Sequence, residues 1–290
     1  MSKPTIAFLG LGIMGGGMAN RLLGAGFPLT VYNRNPDKAK PLAAAGAKVA
    51  TSPKAAATGA DIIFSMVADD NAARAVWLGE NGALAGAKPG AILVECSTIT
   101  TDWIKELGAA AKKINCELLD APVTGTKPHA AAGELSFLVG GSAEALEKVR
   151  PALAVMSKTI FHVGPAGSGA LVKLLNNVLC AVQAVSFAEA LALIEKSGLN
   201  RDQTLEILTQ GTPGSPLVKT MAARMTTHDY EPKFLMRLMA KDIGYAHAAG
   251  KQHGVDFKTA ASALEVFKIA LAQNLGERDF SAIVEPLRKQ

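Results

Sequence analysis

The sequence predicts an α/β protein: a doubly wound, largely parallel sheet in the first half and an all-helical second half. Three observations carry this. Short apolar runs alternate with helix-like stretches as far as Gly164, the pattern of βαβ units. A glycine-rich turn joins the first apolar run to the first helical one. From Ser168 to Lys196 the chain becomes one proline-free helical pattern, SGALVKLLNNVLCAVQAVSFAEALALIEK, closed by Ser197-Gly198.

In order, TIAFLG predicts a strand and Met14 to Ala25 a helix; LTVYN predicts a strand and Pro36 to Ala45 a helix. DIIFSMV, AILVECS, CELLDA, LSFLVGG and TIFHVG continue the strands, with right-handed crossovers between parallel neighbours. Beyond Gly164 the segments RDQTLEILTQG, PLVKTMAARM, MRLMAKDIGYAHAAGKQHG and TAASALEVFKIALAQNLG read as helices, and no strand is needed. A boundary near Gly164 follows. Residues 1–164 form the α/β domain and 165–290 an all-α domain, which the long helix 168–196 leads into.

Composition narrows the class. A chain of 290 residues with 49% hydrophobic and 5% aromatic content buries a core easily, and its alanine and glycine suit close helix packing. No run of about 18 uncharged apolar residues appears, so no membrane span is expected. The N-terminus lacks a signal-peptide pattern. Three widely spaced cysteines, Cys96, Cys116 and Cys180, argue against a disulfide framework and for a reducing cytoplasm. Net charge is +5, but the basic residues are scattered. That disfavours nucleic acid as a partner and suits a protein that handles small anions. The five histidines show no ligand spacing, so no metal is expected.

The stretch IAFLGLGIMGGGMANRLLGAGFPLTVYNRNPDK (6–38) holds the sharpest signal. Gly10, Gly12 and Gly15 form G-x-G-x-x-G directly between strand and helix. The first glycine permits the tight turn, the second lets a pyrophosphate approach, and the third lets helix and strand pack closely. Gly10, Leu11, Gly12, Ile13, Met14 and Gly15 are therefore the candidate cofactor turn of a Rossmann-type sheet. An NAD site places an acid at the end of the second strand, about 20 residues on. Here that position is Asn33, followed by Arg34. Asn33 can hydrogen-bond a 2′-phosphate without repelling it, and Arg34 can pair with it and stack on adenine. The expected cofactor is NADP(H).

Across nearly the whole chain, GLGIMGGGMANRL, ECSTIT, DAPVTGTKPHAAAGELSFLVGG, GSGALVKLLNN and FLMRLMAKDIGYA occur in order. This set resembles the β-hydroxyacid dehydrogenase family. The pattern is most similar to its glyoxylate/succinic semialdehyde reductases. The resemblance implies that Lys173 is the catalytic lysine and Asn177, one helical turn on, its companion. Lysine chemistry agrees, since reduction of a carbonyl leaves an alkoxide that needs a proton and a positive neighbour. The resemblance also implies a substrate carboxylate held by the turn Thr124-Gly125-Thr126, where Thr126 replaces the usual glycine and Lys127-Pro128-His129 departs from the usual small-residue run. Phe234 is implied to line the substrate pocket, with Lys241-Asp242 as the family's K-D pair, Lys241 toward cofactor and Asp242 toward substrate. Met66, Val67 and Thr98 are implied to touch the cofactor. Lys173, Lys241 and Arg237 would make the cleft positive.

The implied reaction is NADPH-dependent reduction of a small carboxylated aldehyde by a cytoplasmic homodimer or homotetramer. Alternatives within the fold are 3-hydroxyisobutyrate or tartronate semialdehyde as substrate, or an imine reductase, which usually carries Asp or Tyr at the Lys173 position. A non-catalytic cofactor-binding module is disfavoured by the presence of Lys173. A short-chain reductase needs Tyr-x-x-x-Lys, and the residues four places after Tyr32, Tyr230 and Tyr245 are Pro36, Phe234 and Ala249.

Overall fold

The computed structural model describes residues 3–289. Strands β1 (Ile6–Leu9), β2 (Leu29–Tyr32), β3 (Lys48–Val49), β4 (Ile62–Ser65), β5 (Ile92–Glu95), β6 (Glu117–Asp120), β7 (Val123–Thr124), β8 (Leu135–Gly140) and β9 (Ser157–Gly164) form one sheet. Its order β3-β2-β1-β4-β5-β6 is that of the dinucleotide-binding fold, and these strands are all parallel. Strand β8 then runs antiparallel to β6 and β7, while β9 pairs it in parallel. The two-residue strands β3 and β7 are too short to show an apolar period, and sequence reading passed over both.

Helices α1 (Gly15–Gly24), α2 (Lys40–Ala44), α3 (Pro53–Ala57), α4 (Asp70–Trp77), α5 (Thr101–Lys113), α6 (Lys127–Ala132) and α7 (Ala143–Ala154) cover the sheet. Pro36–Ala39, read from sequence as part of one helix, forms a separate 3-10 turn. Alternation along the strands sorts the core into two faces. Phe8, Val31, Phe64, Val94 and Leu119 pack with Met18 and Leu22 of α1, Leu42 of α2, Ala130 of α6 and Val149 of α7. Leu9, Ile63, Leu93 and Leu118 pack with Ala57 of α3, Trp77 of α4 and Trp103 and Leu107 of α5. Ala170 belongs to this second face.

Helix α8 (Ser168–Lys196) is followed by α9 (Arg201–Gln210), α10 (Pro216–Thr226), α11 (Met236–Gln252), α12 (Lys258–Ala272) and α13 (Val284–Arg288). The chain divides into two compact units, Met1–Lys173 and Leu174–Gln290, with the division inside α8. In the helical unit Met221, Met225, Met236, Met239, Ile243 and Phe267 are buried. Among the described residues after Gly164 there is no strand, only the isolated bridge Leu235–Asp279. By length and composition α8 could cross a membrane; half of its most apolar stretch is buried within the chain. A core helix of an all-α unit has the same composition.

Candidate active site

The glycine turn has the geometry its residues require. Gly10 sits at φ +96°, and a Cβ there would lie 2.3 Å from the Met66 carbonyl oxygen. A Cβ on Gly15 would lie 2.0 Å from the Gly10 oxygen, so helix and turn touch only because both lack side chains. A Cβ on Gly12 would meet nothing within 4 Å. Open space therefore lies beside the second glycine, ahead of the α1 N-terminus and its dipole; of the first-turn amides, that of Gly16 already donates to the Gly12 carbonyl at 3.2 Å. These residues fit the pyrophosphate of a dinucleotide.

Asn33 and Arg34 play different parts. Asn33 accepts the Leu11 N–H through Oδ1 at 2.8 Å and donates through Nδ2 to the Asn35 carbonyl at 2.8 Å. Its amide thus braces the glycine turn against the end of β2, where sequence reading expected it to reach for a phosphate. Arg34 is exposed and pairs with no carboxylate among the described residues. It is the group at this strand end that is available to an anion.

The neighbouring strand ends carry the other cofactor candidates. Met66 donates to the Leu9 carbonyl at 2.8 Å, and Val67 donates to Ser97 Oγ at 2.8 Å. Ser97 donates its own N–H to Glu95 Oε1 at 2.9 Å, and Trp77 Nε1 donates to Glu95 Oε2 at 2.6 Å. Burial pushes the Glu95 carboxyl above its ordinary value, against the pull of these donors. Glu95 and Ser97 were passed over in the sequence, although an acid closing the apolar run AILVE was a visible signal. Thr98 follows, half-buried.

Thr124 is half-buried on β7 beside Ser136, and Gly125 turns the chain at φ +126°. Thr126 then caps α6. Its N–H donates to His129 Nδ1 at 3.1 Å, and its hydroxyl lies 2.9 Å from the same nitrogen. Two of the departures from the family's pattern, Thr126 and His129, thus form one local capping box.

Within α8, Lys173 and Asn177 stand four residues apart, on one side of the helix. Asn177 is buried, and both ends of its amide are held. Its Oδ1 accepts from Asn176 at 2.9 Å, and its Nδ2 donates to Asp242 Oδ2 at 2.6 Å. Asp242 is 1% exposed, and its Oδ1 lies 2.9 Å from Lys241 Nζ. The carboxylate therefore holds Asn177 and Lys241 in place. Lys241 also lies over the Tyr245 ring at 4.8 Å. Arg237, expected to add positive charge, is paired with Glu277 at 2.6 Å.

Phe234 sits on a loop organised by a buried ion pair that sequence reading missed. Asp279 accepts the N–H groups of Lys233 and Phe234 through Oδ2, both at 2.9 Å. Arg224 lies 3.6 Å from Asp279 and donates to the carbonyls of Asp229 and Glu231. The Phe234 ring packs edge-on against Phe280. No group of His, Cys, Asp and Glu among the described residues could hold a metal ion.

Comparison with known proteins places this arrangement. The NAD binding domain of 6-phosphogluconate dehydrogenase matches residues 5–164, and the NAD-binding domain of NADP-dependent 3-hydroxyisobutyrate dehydrogenase matches 167–287. The chain belongs to the β-hydroxyacid dehydrogenase family. It is 39% identical over 285 residues to the NAD-dependent L-serine dehydrogenase of Pseudomonas aeruginosa, covering 96% of each chain. It is 35% identical over 288 residues to the chloroplastic glyoxylate/succinic semialdehyde reductase 2 of Arabidopsis thaliana, covering 99% of this chain and 80% of that one. The solved structure of Mycobacterium tuberculosis 3-hydroxyisobutyrate dehydrogenase with L-serine superposes with a TM-score of 0.90 at 34% identity, over 99% of both chains. Members of this family are NAD(P)-dependent oxidoreductases acting on the CH–OH group of hydroxyacids, and this chain is one of them.

Proposed function

We propose that the protein reduces small carboxylated aldehydes, such as glyoxylate or succinic semialdehyde, with NADPH, and that Lys173 is the general acid. The observation that carries the cofactor choice is the second strand end. Arg34 is exposed without a carboxylate partner among the described residues, and Asn33 stands where an NAD site has an acid. The cofactor supplies the hydride. Lys173 gives a proton to the oxygen of the reduced carbonyl and stabilises its developing charge. Asn177, its amide fixed by Asn176 and Asp242, orients the lysine's neighbourhood. The Thr124 hydroxyl and the adjoining turn hold the substrate carboxylate.

A second reading, oxidation of a small hydroxyacid such as L-serine or 3-hydroxyisobutyrate, is favoured by the names of the relatives in Pseudomonas and Mycobacterium. In that direction Lys173 takes the proton as base. Assaying matched aldehydes with and without the carboxylate, alongside L-serine oxidation, separates the readings. The proposal expects the carboxylated aldehyde to have the highest kcat/KM; an uncharged partner reduced as efficiently, or faster turnover of L-serine, contradicts it. The protein is further proposed to be a homo-oligomer, supported by Leu175, Leu179 and Leu193, which are exposed on α8, and to be cytoplasmic, a reading that rests on its three widely spaced cysteines.

A further inference from the structure

We infer that Asp120 is a positioning residue for Lys173: from the end of β6 its carboxylate caps the N-terminus of α8 and fixes the turn from which Lys173 projects. The inference rests on the reading of Lys173 as general acid.

The first turn of a helix presents amides with no intrahelical acceptors, and a capping box satisfies those at the N-cap and N3 positions. In α8 these positions are Gly167 and Ala170, and no neighbouring side chain in the sequence serves them. Asp120, distant in sequence, does so. Its Oδ1 accepts the Gly167 N–H at 2.8 Å and its Oδ2 accepts the Ala170 N–H at 2.7 Å. Asp120 is fully buried. Two glycines permit the approach. A Cβ on Gly169 would lie 2.2 Å from the Leu138 carbonyl oxygen and 2.7 Å from that of Asp120. A Cβ on Gly140 would lie 2.5 Å from Asp120 Oδ1. Strands β6 and β8 and the first turn of α8 are therefore locked around one carboxylate. Lys173 is three residues beyond Ala170, the next turn of the same helix.

Glu95 stands beside Asp120 in register on β5, and Lys173 follows one helical turn beyond the amides Asp120 holds. Strand β8 has no ionisable group, while those of β6 (Glu117) and of α5 and α7, which pack on it (Asp102, Lys105, Glu106, Lys112 and Lys113; Glu144, Glu147, Lys148 and Arg150), occupy exposed or half-exposed positions. The Glu95 oxygens are engaged by Trp77 and Ser97. Burial raises the Asp120 carboxyl to about 6, against the pull of the Gly167 and Ala170 amides. Above that pH it is ionised, with both oxygens able to accept. A charge so placed both aims the helix and stabilises the Lys173 ammonium.

The test compares Asp120→Asn with Lys173→Ala, each scored per folded molecule by NADPH titration. The asparagine can accept at one oxygen only. NADPH affinity should stay within about twofold and aldehyde KM within about threefold, while kcat falls about 10- to 100-fold, as expected for a displaced catalytic group. The alkaline limb of the kcat profile should also move to lower pH, because an anion near Lys173 has been removed. Amide exchange of residues 167–173 should quicken. Asp120→Ser, whose hydroxyl can accept from one amide, is the substitute where asparagine prevents folding. Loss of thermal stability with wild-type kcat and an unmoved pH profile, while Lys173→Ala is inactive, overturns the inference alone. Near-normal turnover by Lys173→Ala overturns the reading of the lysine, and the inference with it.

Discussion

At the scale of single residues, the sterics of the glycine turn were legible in the sequence, because Gly10 and Gly15 stand where a Cβ would collide while Gly12 borders open space. The Asn33-Arg34 pair was legible in part. Sequence predicts that Asn33 hydrogen-bonds a 2′-phosphate and that Arg34 pairs with it and stacks on adenine, but Asn33 braces Leu11 while Arg34 stays exposed. Hydrogen-bond direction of this kind depends on which backbone groups the turn leaves unpaired, and spacing does not reveal it. The division of labour makes a sharp prediction. In Asn33→Asp the new carboxylate can still accept from Leu11, so the turn survives, while its charge repels a 2′-phosphate. Combined with Arg34→Ala, it should cost roughly ten- to a hundred-fold in kcat/KM with NADPH, about 1.5–3 kcal/mol for the lost charged hydrogen bond. NADH kinetics should change little. Unchanged NADPH kinetics in the double variant would remove Arg34 from cofactor recognition.

At the scale of elements, periodicity located the long strands and helices, and it failed for β3 and β7, whose pairing depends on neighbours distant in sequence. It also missed the carboxylates that join elements. Glu95, Asp120 and Asp279 read in sequence as strand ends or loop acids, yet each is buried and each binds backbone amides of a segment carrying a candidate site residue. Their function lies in tertiary contacts, so no local pattern marks them. The Arg224–Asp279 pair illustrates the energetics. Removing Asp279 leaves the buried Arg224 to the half-exposed Asp229 carboxylate 3.6 Å away, and the amides of Lys233, Phe234 and Ser281 lose their acceptor. Asp279→Ala should therefore destabilise the helical unit by about 3–5 kcal/mol. It should also raise the substrate KM by releasing Phe234. Denaturant unfolding and steady-state kinetics read the two effects, and a variant of wild-type stability would show that the pair is not a linchpin of this loop.

At the scale of the whole molecule, the sequence conveyed the α/β-then-helical order because the two halves differ in hydrophobic period. It did not show that the contacts divide within α8, since a continuous helix carries no internal boundary signal. Asp120, at the start of that helix, couples stability to pH. Its folded-state pKa, raised from 3.8 to about 6, means that the folded protein holds this proton more tightly than the unfolded chain. The associated stability is fully present below pH 3.8, and it is lost as pH rises through about 6. Linkage sets it at about 3 kcal/mol. The stability difference between wild type and Asp120→Asn should fall by that order from pH 4 to pH 7, and a difference independent of pH would contradict the shift. The central claim is that this chain performs carbonyl reduction with Lys173 as its acid. The most direct measurement is single-turnover NADPH oxidation by Lys173→Ala with succinic semialdehyde. The account predicts NADPH binding close to wild type and a rate lower by about 10²–10⁴-fold, the range for loss of a positioned general acid; a correctly folded variant with near-wild-type turnover would contradict it.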